Sequence, residues 1–194
     1  MENPQEFWTQ RYATEQTGWD MGQASPPLTA FLQQWKNKEA QILIPGAGNA
    51  HEALWLHKQG FKNVHVLDVA QQPLQNLKLR CAGFPDAHLH QADFFEFSGE
   101  FDLIIEQTFY CAINPQLRDS YVRKMHQLLK PNGQLFGVFF TFPLTESGPP
   151  FGGSLAEYKT RFNDCFRILK LEPCYNSIVP RQGKEAFVRL LKIT

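Results

Sequence analysis

Apolar residues in this chain form short runs, separated by longer stretches in which they recur every three or four positions. Short runs of this kind are typical of buried strands, and they occur at "QILIP" (41–45), "NVHVLDV" (63–69), "FDLIIEQ" (101–107) and "QLFGVFF" (134–140). An alternating pattern predicts three further strands, at "AHLHQAD" (87–93), "RILKLEPCYN" and "EAFVRLLKI". We expect the last two to pair in antiparallel fashion at the end of the sheet.

The stretches between these strands predict helices. Ala53, Leu54 and Leu56 share one helical face, and a second stripe contains Leu74 and Leu77. The helices are predicted at "AHEALWLHKQG", "QQPLQNLKLRCAG", "QLRDSYVRKMHQLL" (with Asn114 and Pro115 at its start) and "SLAEYKTRFNDC". Strands alternating with helices indicate an α/β three-layer sandwich with a mainly parallel seven-stranded sheet whose last strand is antiparallel. A chain of 194 residues suits a single domain, 1–194, with a core over 41–194.

A glycine turn follows the first strand, in "PGAGNAHE". Gly46 and Gly48 lack a Cβ, so the main chain there can approach a ligand closely and adopt positive φ. In parallel sheets, ligands bind beyond the carboxyl ends of the strands. Asp68 ends the second strand, 20 residues after Gly48, where its carboxylate can accept hydrogen bonds from both hydroxyls of a ribose.

Two further strand ends carry polar side chains. Asp93 can accept the exocyclic amine of adenine, the amide of Phe94 can reach a ring nitrogen, and Glu106 and Gln107 end the fourth strand. A dinucleotide-binding turn would have a third glycine, which "GAGNAH" lacks. The pattern therefore favours S-adenosylmethionine as the ligand, with its methionyl end over the glycines, and an NAD-dependent oxidoreductase is the weaker alternative.

Composition and charge limit the kinds of molecule that the protein is expected to bind. The 19 basic and 19 acidic side chains balance, which gives no argument for nucleic acid or an anionic membrane as a partner. The four cysteines form no CxxC pair, so we expect reduced thiols and no zinc site. The polar start "MENPQEFWTQ" lacks the features of a secretory signal, and no apolar run has membrane-spanning length. We expect a cytoplasmic monomer that acts on a small molecule.

Several segments resemble the class I S-adenosylmethionine-dependent methyltransferases, and among them the thiopurine S-methyltransferase family. The chain is most similar to the plant-type halide and thiol methyltransferases of that family. The resemblance rests on "FWTQRYATEQTGWDMGQASPPL", "LIPGAGNAHE", "VLDVA", "FDLIIEQTFYCAINPQLRDSY", "MHQLLKPNGQLFGVFF", "GPPF" and "PRQGKE". It implies a Rossmann-like methyltransferase fold.

The resemblance also implies roles for individual residues. Residues 1–28 would fold over the cofactor as a lid, with Trp8 and Trp19 flanking the site and Gln23 nearby. The remaining cofactor contacts that it implies are Gly46, Asp68, Asp93, Phe94 and Gln107. Glu106 and Gln107 depart from the family: the plant enzymes tend to have aspartate and tyrosine there, and the mammalian members have arginine at the second position. This departure concerns the choice of substrate and not the methyl donor.

The expected acceptor pocket is apolar and aromatic, and we identify no catalytic acid, base or metal ligand in the sequence. Candidate substrate contacts are Tyr12, Phe109, Tyr110 and Phe151, with the hydroxyl of Tyr110 as a donor to an anionic nucleophile. Arg118 can attract an anion or pair with Asp119 or Glu106, and Arg181 and Lys184 belong to a turn that can reach the site. The six histidines are interpreted as surface residues.

The sequence therefore predicts a methyltransferase for a small soft nucleophile, namely a thiol, thiopurine, thiocyanate or halide. Oxyanions of selenium or tellurium stay open as alternative acceptors. A binding module with a decayed site is disfavoured because Gly46, Gly48, Asp68 and Asp93 are all present. A nucleic-acid methyltransferase is disfavoured by the neutral charge and by the absence of an Asn/Asp-Pro-Pro-Tyr/Phe motif after the fourth strand.

Overall fold

A computed structural model describes residues 3–193. Met1, Glu2 and Thr194, which the predicted lid and the predicted domain include, lie outside the described residues. The helices are α1 (Pro4–Ala13), α2 (Pro26–Leu32), α3 (His51–Lys58), α4 (Gln71–Arg80), α5 (Arg118–Leu128) and α6 (Leu155–Phe162). The strands are β1 (Gln41–Pro45), β2 (Asn63–Asp68), β3 (Leu89–Gln91), β4 (Phe101–Gln107), β5 (Leu129–Phe140), β6 (Phe166–Pro173) and β7 (Glu185–Lys192).

All seven strands form one sheet, in the order β3-β2-β1-β4-β5-β7-β6. Neighbours from β3 to β5 pair in parallel, and β7 runs antiparallel to both β5 and β6. The predicted sheet, with its antiparallel last strand, is confirmed. The chain reverses its winding direction at β1, because β2 and β3 lie on one side of it and β4 on the other. The carboxyl ends of β1 and β4 therefore open a crevice for a ligand.

Helices cover both faces of the sheet. One apolar cluster contains side chains of α2, α3 and α4, and the other contains side chains of α5 and α6. The middle strands are buried from both sides, as β1 shows with four of its five residues buried. This explains why their sequences are continuous apolar runs and not alternating ones.

Two strand predictions needed adjustment. The alternation at 87–93 predicted seven strand residues, but β3 has only three, and a 3₁₀ turn over Asp86–His88 precedes it. Strand β5 begins at Leu129, earlier than predicted, because "KPNG" forms an irregularity inside the strand with Asn132 at φ +62°. No helix within residues 3–193 is long and apolar enough to cross a membrane.

Candidate active site

A cavity of about 820 Å³ lies at the carboxyl ends of β1, β2 and β4, beneath α1. Its volume is within the range of small-molecule and cofactor sites. Of the residues predicted for the site, the cavity is lined by Trp8, Tyr12, Trp19, Gly46, Gly48, Asp68, Asp93, Phe94, Gln107 and Phe109. Three others, Gln23, Tyr110 and Phe151, are not among the lining residues.

The glycine turn is shaped by backbone conformation and by one close ring. Gly46 and Gly48 have φ of +56° and +55°, a region that side chains disfavour. A Cβ on Gly46 would lie 2.0 Å from Cδ2 of Phe109, so a glycine is required there even without a ligand. A Cβ on Gly48 would lie 3.6 Å from Nε1 of Trp19, which places the predicted lid directly above the turn.

Asp68 is held by main-chain amides at the end of β2. Its Oδ1 accepts from the amide of Ala70 at 2.9 Å, and its Oδ2 accepts from that of Gly48 at 3.3 Å. Burial raises the pKa of Asp68 to about 6, although these amides act in the opposite direction. The carboxylate is thus fixed in orientation and lacks the water it would have on the surface, so hydroxyl donors from a ligand would stabilise its charged form.

Asp93 and Phe94 follow β3 and line the same cavity. Oδ1 of Asp93 accepts from the amide of Phe95 at 2.7 Å, so the side chain also shapes its own turn. Phe94 is buried, with its ring centroid 5.2 Å from that of Phe109. The turn after β3 therefore combines an exposed carboxylate with an aromatic wall.

Gln107 lines the cavity, and its side chain has a hydrogen-bond donor that is not satisfied by the described residues. Its Oε1 accepts from Thr108 Oγ1 at 3.2 Å, while its buried Nε2 has no hydrogen-bond partner within the described residues. Glu106, one residue earlier, is fully buried and is not among the residues that line the cavity. Its Oε1 accepts from the amide of Tyr110 at 2.8 Å, and burial raises its pKa to about 8.

Helix α1 closes the cavity from above. Trp8, Arg11 and Tyr12 lie on one face of the helix, as their spacing of three and four requires, and all three line the cavity. The ring of Trp19 makes edge contacts with Trp8 and Tyr12, at centroid distances of 5.2 and 5.6 Å. Burial, and next the charge of Asp68, raise the pKa of Tyr12 above its ordinary range, so its hydroxyl stays protonated. Gln23 follows a left-handed turn at Gly22 and is exposed, which corrects its predicted place beside the cofactor.

The opposite end of the cavity is mainly apolar. Its walls come from the segment that follows β4, from the end of β5 and from the loop that precedes α6. They are formed by Phe109, Ile113, Phe140, Phe142, Pro149 and Pro150. Titratable side chains within the whole lining are few, and Cys111 is one of them: burial raises the pKa of its thiol well above its ordinary value.

Tyr110 and Phe151 were predicted as substrate contacts, but neither lines the cavity. Tyr110 lies in a 3₁₀ turn that directs its ring into the core, stacked 4.9 Å from that of Phe139, while Phe109 faces the cavity. The Tyr110 hydroxyl donates to Oε1 of Glu157 at 3.2 Å, so it is not available to a nucleophile. The amide of Phe151 donates to the Cys111 carbonyl at 2.7 Å, and the prolines before it form the wall instead.

The candidate cations have different surroundings. Arg118 is fully buried, donates to Glu157 and to the Gly152 carbonyl at 2.8 Å each, and pairs with neither Asp119 nor Glu106. The hydrogen bond to Gly152 holds the loop that contains Pro149 and Pro150 in place. Arg181 and Lys184, in contrast, both line the cavity.

The histidines lie away from the cavity lining. His65, His88 and His90 form a half-buried cluster at the β2–β3 edge, with His65 Nδ1 and His90 Nε2 3.0 Å apart, which corrects the surface interpretation. Burial is the first cause that lowers the pKa of all three, and that of His65 falls to about 4. Within the described residues, no group of three His, Cys, Asp or Glu side chains is placed to hold a metal ion.

The residues present fit S-adenosylmethionine. Gly46 and Gly48 add no side chains of their own to the cavity wall, and two carboxylates follow neighbouring strands. Gln107 adds a buried donor that only a ligand or water would satisfy. Asp68, Asp93 and Phe94 would hold the nucleoside, and Gln107 would face the methionyl region.

Comparison with known families decides the assignment. The model of the family described as thiopurine S-methyltransferase matches residues 3–192, which is nearly the whole chain. The chain belongs to the thiopurine S-methyltransferase family. The predicted family is thereby confirmed, together with the predicted enzyme class and S-adenosylmethionine as its cofactor.

Curated relatives of the thiopurine S-methyltransferase family cover most of the chain at modest identity. The chain is similar to the probable thiol methyltransferase 2 of Arabidopsis thaliana, with 27% identity over 98% of this chain and 87% of that protein. It is also similar to thiocyanate methyltransferase 1 of Brassica oleracea (27%, over 96% and 84%) and to the thiopurine S-methyltransferase of Vibrio cholerae (28%, over 82% and 81%).

Solved structures share the fold at lower identity. The 1,6-didemethyltoxoflavin-N1-methyltransferase of Burkholderia thailandensis superposes with a TM-score of 0.78 at 18% identity, over 98% of this chain and 87% of that one. The magnesium protoporphyrin IX methyltransferase of Synechocystis gives a TM-score of 0.74 at 11% identity, over 98% of each chain. These likenesses confirm the Rossmann-like methyltransferase fold.

Some lining residues were missed in the sequence. Phe140 and Phe142 follow the same strand-end rule that identified Asp68, since β5 also ends at the cavity. Arg11 is three residues from Trp8, so the helical period would have found it once α1 was recognised. Pro149 and Pro150 gave no such signal, because a loop's direction depends on distant contacts such as that of Arg118 with Gly152.

Proposed function

We propose that this protein transfers a methyl group from S-adenosylmethionine to a small soft nucleophile, namely a thiol, thiopurine, thiocyanate or halide. The observation that carries the acceptor class is the lining of the cavity. The end with Asp68 and Asp93 is polar, whereas the end with Phe140 and Phe142 is aromatic and includes no histidine. Relatives in the family are named for thiol, thiocyanate and thiopurine substrates, which supports the proposal.

S-adenosylmethionine, when bound, supplies a methyl group on a positively charged sulfur. The protein then has to align the acceptor with that methyl group and keep water out. Trp8, Tyr12 and Trp19 cover the cavity from the lid side, and Phe109 separates the glycine turn from the apolar end. These rings exclude water without offering a competing nucleophile.

The acceptor needs little help with its proton. A halide or thiocyanate is already an anion, and an alkyl thiol with a pKa of about 8.5 is a few per cent thiolate near neutral pH. Lys184 lies in the lining and favours an anionic acceptor electrostatically, whereas the charge of Arg181 is compensated by Glu185 at 3.2 Å. An alcohol or amine acceptor would have to lose a proton, for which the apolar end offers no suitable base.

Binding of the cofactor is tested by calorimetry on the purified protein. We expect binding of S-adenosylmethionine and of its demethylated product, S-adenosylhomocysteine, and none of NAD. Tight NAD binding without S-adenosylhomocysteine binding would overturn the proposal.

The acceptor class is tested with a panel assay in which volatile methylated products are measured by gas chromatography and involatile ones by liquid chromatography. The panel contains an alkyl thiol, a thiopurine, thiocyanate and iodide, with a catechol, an amine and selenite as counterexamples. We expect kcat/KM for the first group to exceed that for the catechol and the amine by at least about tenfold. Preference for the catechol, the amine or selenite would contradict the proposed acceptor class.

Several finer properties belong to the same proposal. We propose one methyltransferase domain with residues 1–28 as its lid, a monomeric state, a cytoplasmic location, and no nucleic-acid or membrane partner. The balanced charge of the sequence supports the last point. Gel filtration with light scattering tests the monomer directly, and a dimer at micromolar concentration would contradict it.

A further inference from the structure

The lid carries one acidic side chain that reaches the glycine turn. Oδ2 of Asp20 accepts from Nδ2 of Asn49, the residue after Gly48. Its Oδ1 accepts from the amide of Gly22 at 2.7 Å and lies 2.7 Å from Nε2 of His51 at the start of α3. The Asp20 carboxylate thus joins the lid both to the glycine turn and to the start of α3.

The surrounding hydrogen bonds fix the direction of each contact. Nδ1 of His51 lies 3.1 Å from Nη1 of Arg80, and a guanidinium can only donate, so Nδ1 accepts. His51 therefore carries its hydrogen on Nε2 and donates it to Asp20. On the other side, Oδ1 of Asn49 accepts from Asn76 at 2.9 Å, which leaves the Asn49 amide group to donate to Asp20.

The neighbouring residue shows what this carboxylate positions. Trp19, directly before Asp20, lies over Gly48, and its carbonyl oxygen accepts from Nη2 of Arg181 at 2.6 Å. Arg181 is itself held by Glu185 at 3.2 Å. The main chain around Trp19 is thus fixed from two sides, by Arg181 at the C-terminal turn and by Asp20 at the glycine turn.

The charge on Asp20 is stable in this setting. Burial acts to raise its pKa, but hydrogen bonds from Asn49, Gly22 and His51 outweigh this and lower the pKa below its ordinary value. The side chains of Asp20 and His51 are only 20% and 19% exposed, so solvent screens their contact weakly.

We infer that Asp20 is a positioning residue that couples the lid to the cofactor turn through Asn49 and His51. In this account, Asp20 keeps Trp19 over Gly48, so that a ligand which orders the glycine turn also orders the lid. The cofactor part of the inference rests on the proposed function, whereas the link between lid and turn exists in the protein without ligand.

The first test is hydrogen exchange of residues 7–23 in the cofactor-free protein. Asp20→Asn keeps the shape of the side chain but has one acceptor oxygen in place of two, so it cannot accept from Asn49 and from the Gly22 amide and His51 at the same time. We expect exchange over 17–23 to become at least about fivefold faster, with β1 and β4 unchanged. Glu15→Gln makes the same change of charge on an exposed lid residue and should exchange as the wild type does.

Exchanging the two side chains distinguishes loss of the contact between Asp20 and Asn49 from a general loss of structure in the lid. The double variant Asp20→Asn with Asn49→Asp restores one donor facing one acceptor, and the carboxylate introduced at position 49 can still accept from Asn76. Exchange over 17–23 should return to within about twofold of the wild type. A swap that exchanges as fast as Asp20→Asn alone would overturn the inference, as would wild-type exchange in Asp20→Asn itself.

The second test is calorimetry with S-adenosylhomocysteine. We expect Asp20→Asn to bind it about tenfold more weakly and Glu15→Gln to bind it normally. Equal affinity in Asp20→Asn and the wild type would refute the coupling to the cofactor turn. If the wild type itself binds no S-adenosylhomocysteine, the proposed function fails, and the exchange experiments still decide the link between lid and turn.

Discussion

The two carboxylates at the end of the cavity proposed for the cofactor are held by main-chain amides, whereas the end proposed for the acceptor is lined by apolar side chains. Asp68 accepts from two backbone amides and Asp93 from one, at strand ends that the sheet places side by side. Phe142, Pro149 and Pro150 come from the end of β5 and from a loop. We therefore expect substitutions of the apolar side chains to change the choice of acceptor more readily than the binding of the cofactor.

Substitution of Asp68 gives the largest expected effect and tests the cofactor end. Asp68→Ala should weaken S-adenosylhomocysteine binding by roughly 1.5–3 kcal/mol, because it removes charge-assisted hydrogen bonds to the ribose. Calorimetry measures this, with Asp86→Ala as a matched control, since Asp86 is an exposed acid paired with Lys78. Unchanged affinity in folded Asp68→Ala would mean that Asp68 only caps its turn.

The same residue predicts a pH dependence. Burial raises the pKa of Asp68 to about 6, so in the folded protein its carboxylate becomes protonated as the pH falls through 6. A protonated carboxyl accepts more weakly, and cofactor affinity of the wild type should therefore decrease below that pH. Calorimetry with S-adenosylhomocysteine across this pH range measures the decrease, which should be smaller in Asp68→Ala.

Gly46 lies where the ring of Phe109 packs against the glycine turn, between the two ends of the cavity. Gly46→Ala should cost roughly 1–3 kcal/mol more unfolding free energy than Gly60→Ala, because it adds overpacking against Phe109 to the strain of positive φ. Gly60 has φ +82°, and no atom of residues 3–193 lies within 4 Å of an added Cβ, so Gly60→Ala measures the backbone strain alone. Urea unfolding measures both, and equal costs would show that Phe109 yields easily.

Two phenylalanine variants test whether the two ends of the cavity bind different ligands. Phe142→Ala should raise KM for a thiol by roughly 3–10-fold, about 0.7–1.4 kcal/mol of lost apolar contact, while cofactor affinity stays within about twofold. Phe95→Ala, beside Asp93, should show the reverse pattern. Steady-state kinetics combined with calorimetry would contradict the division if both variants changed both constants equally.

Tyr110→Phe should have the smallest effect on activity. Its hydroxyl is bonded to Glu157 and not to the cavity, so kcat/KM should stay within about twofold of the wild type. Unfolding free energy should fall by about 0.5–1.5 kcal/mol through the lost hydrogen bond. Complete loss of turnover in a folded Tyr110→Phe protein would restore Tyr110 as a contact of the nucleophile.

The sequence predicted which polar residues at strand ends lie together at the cavity, and the reason is physical. Strand ends in a parallel sheet meet at one edge, so Asp68, Asp93 and Gln107 could be brought together from the order of the strands alone. Tyr110 failed because neighbours in a 3₁₀ turn face different sides, and the letters "FY" do not say which of two adjacent rings enters the core. The link between Asp20 and Asn49 spans 29 positions between a loop and a turn, and no local pattern encodes it.

The central claim is that the acceptor end provides alignment and exclusion of water but no general base. Rates with a thiol and with iodide, measured between about pH 6 and 9.5 at saturating cofactor, test it most directly. Thiol methylation should rise with the thiolate fraction up to the thiol's own pKa of about 8.5, while iodide methylation should stay flat above about pH 7. One shared profile for both acceptors, with an inflection near neutral pH that does not move with the thiol's pKa, would contradict the claim.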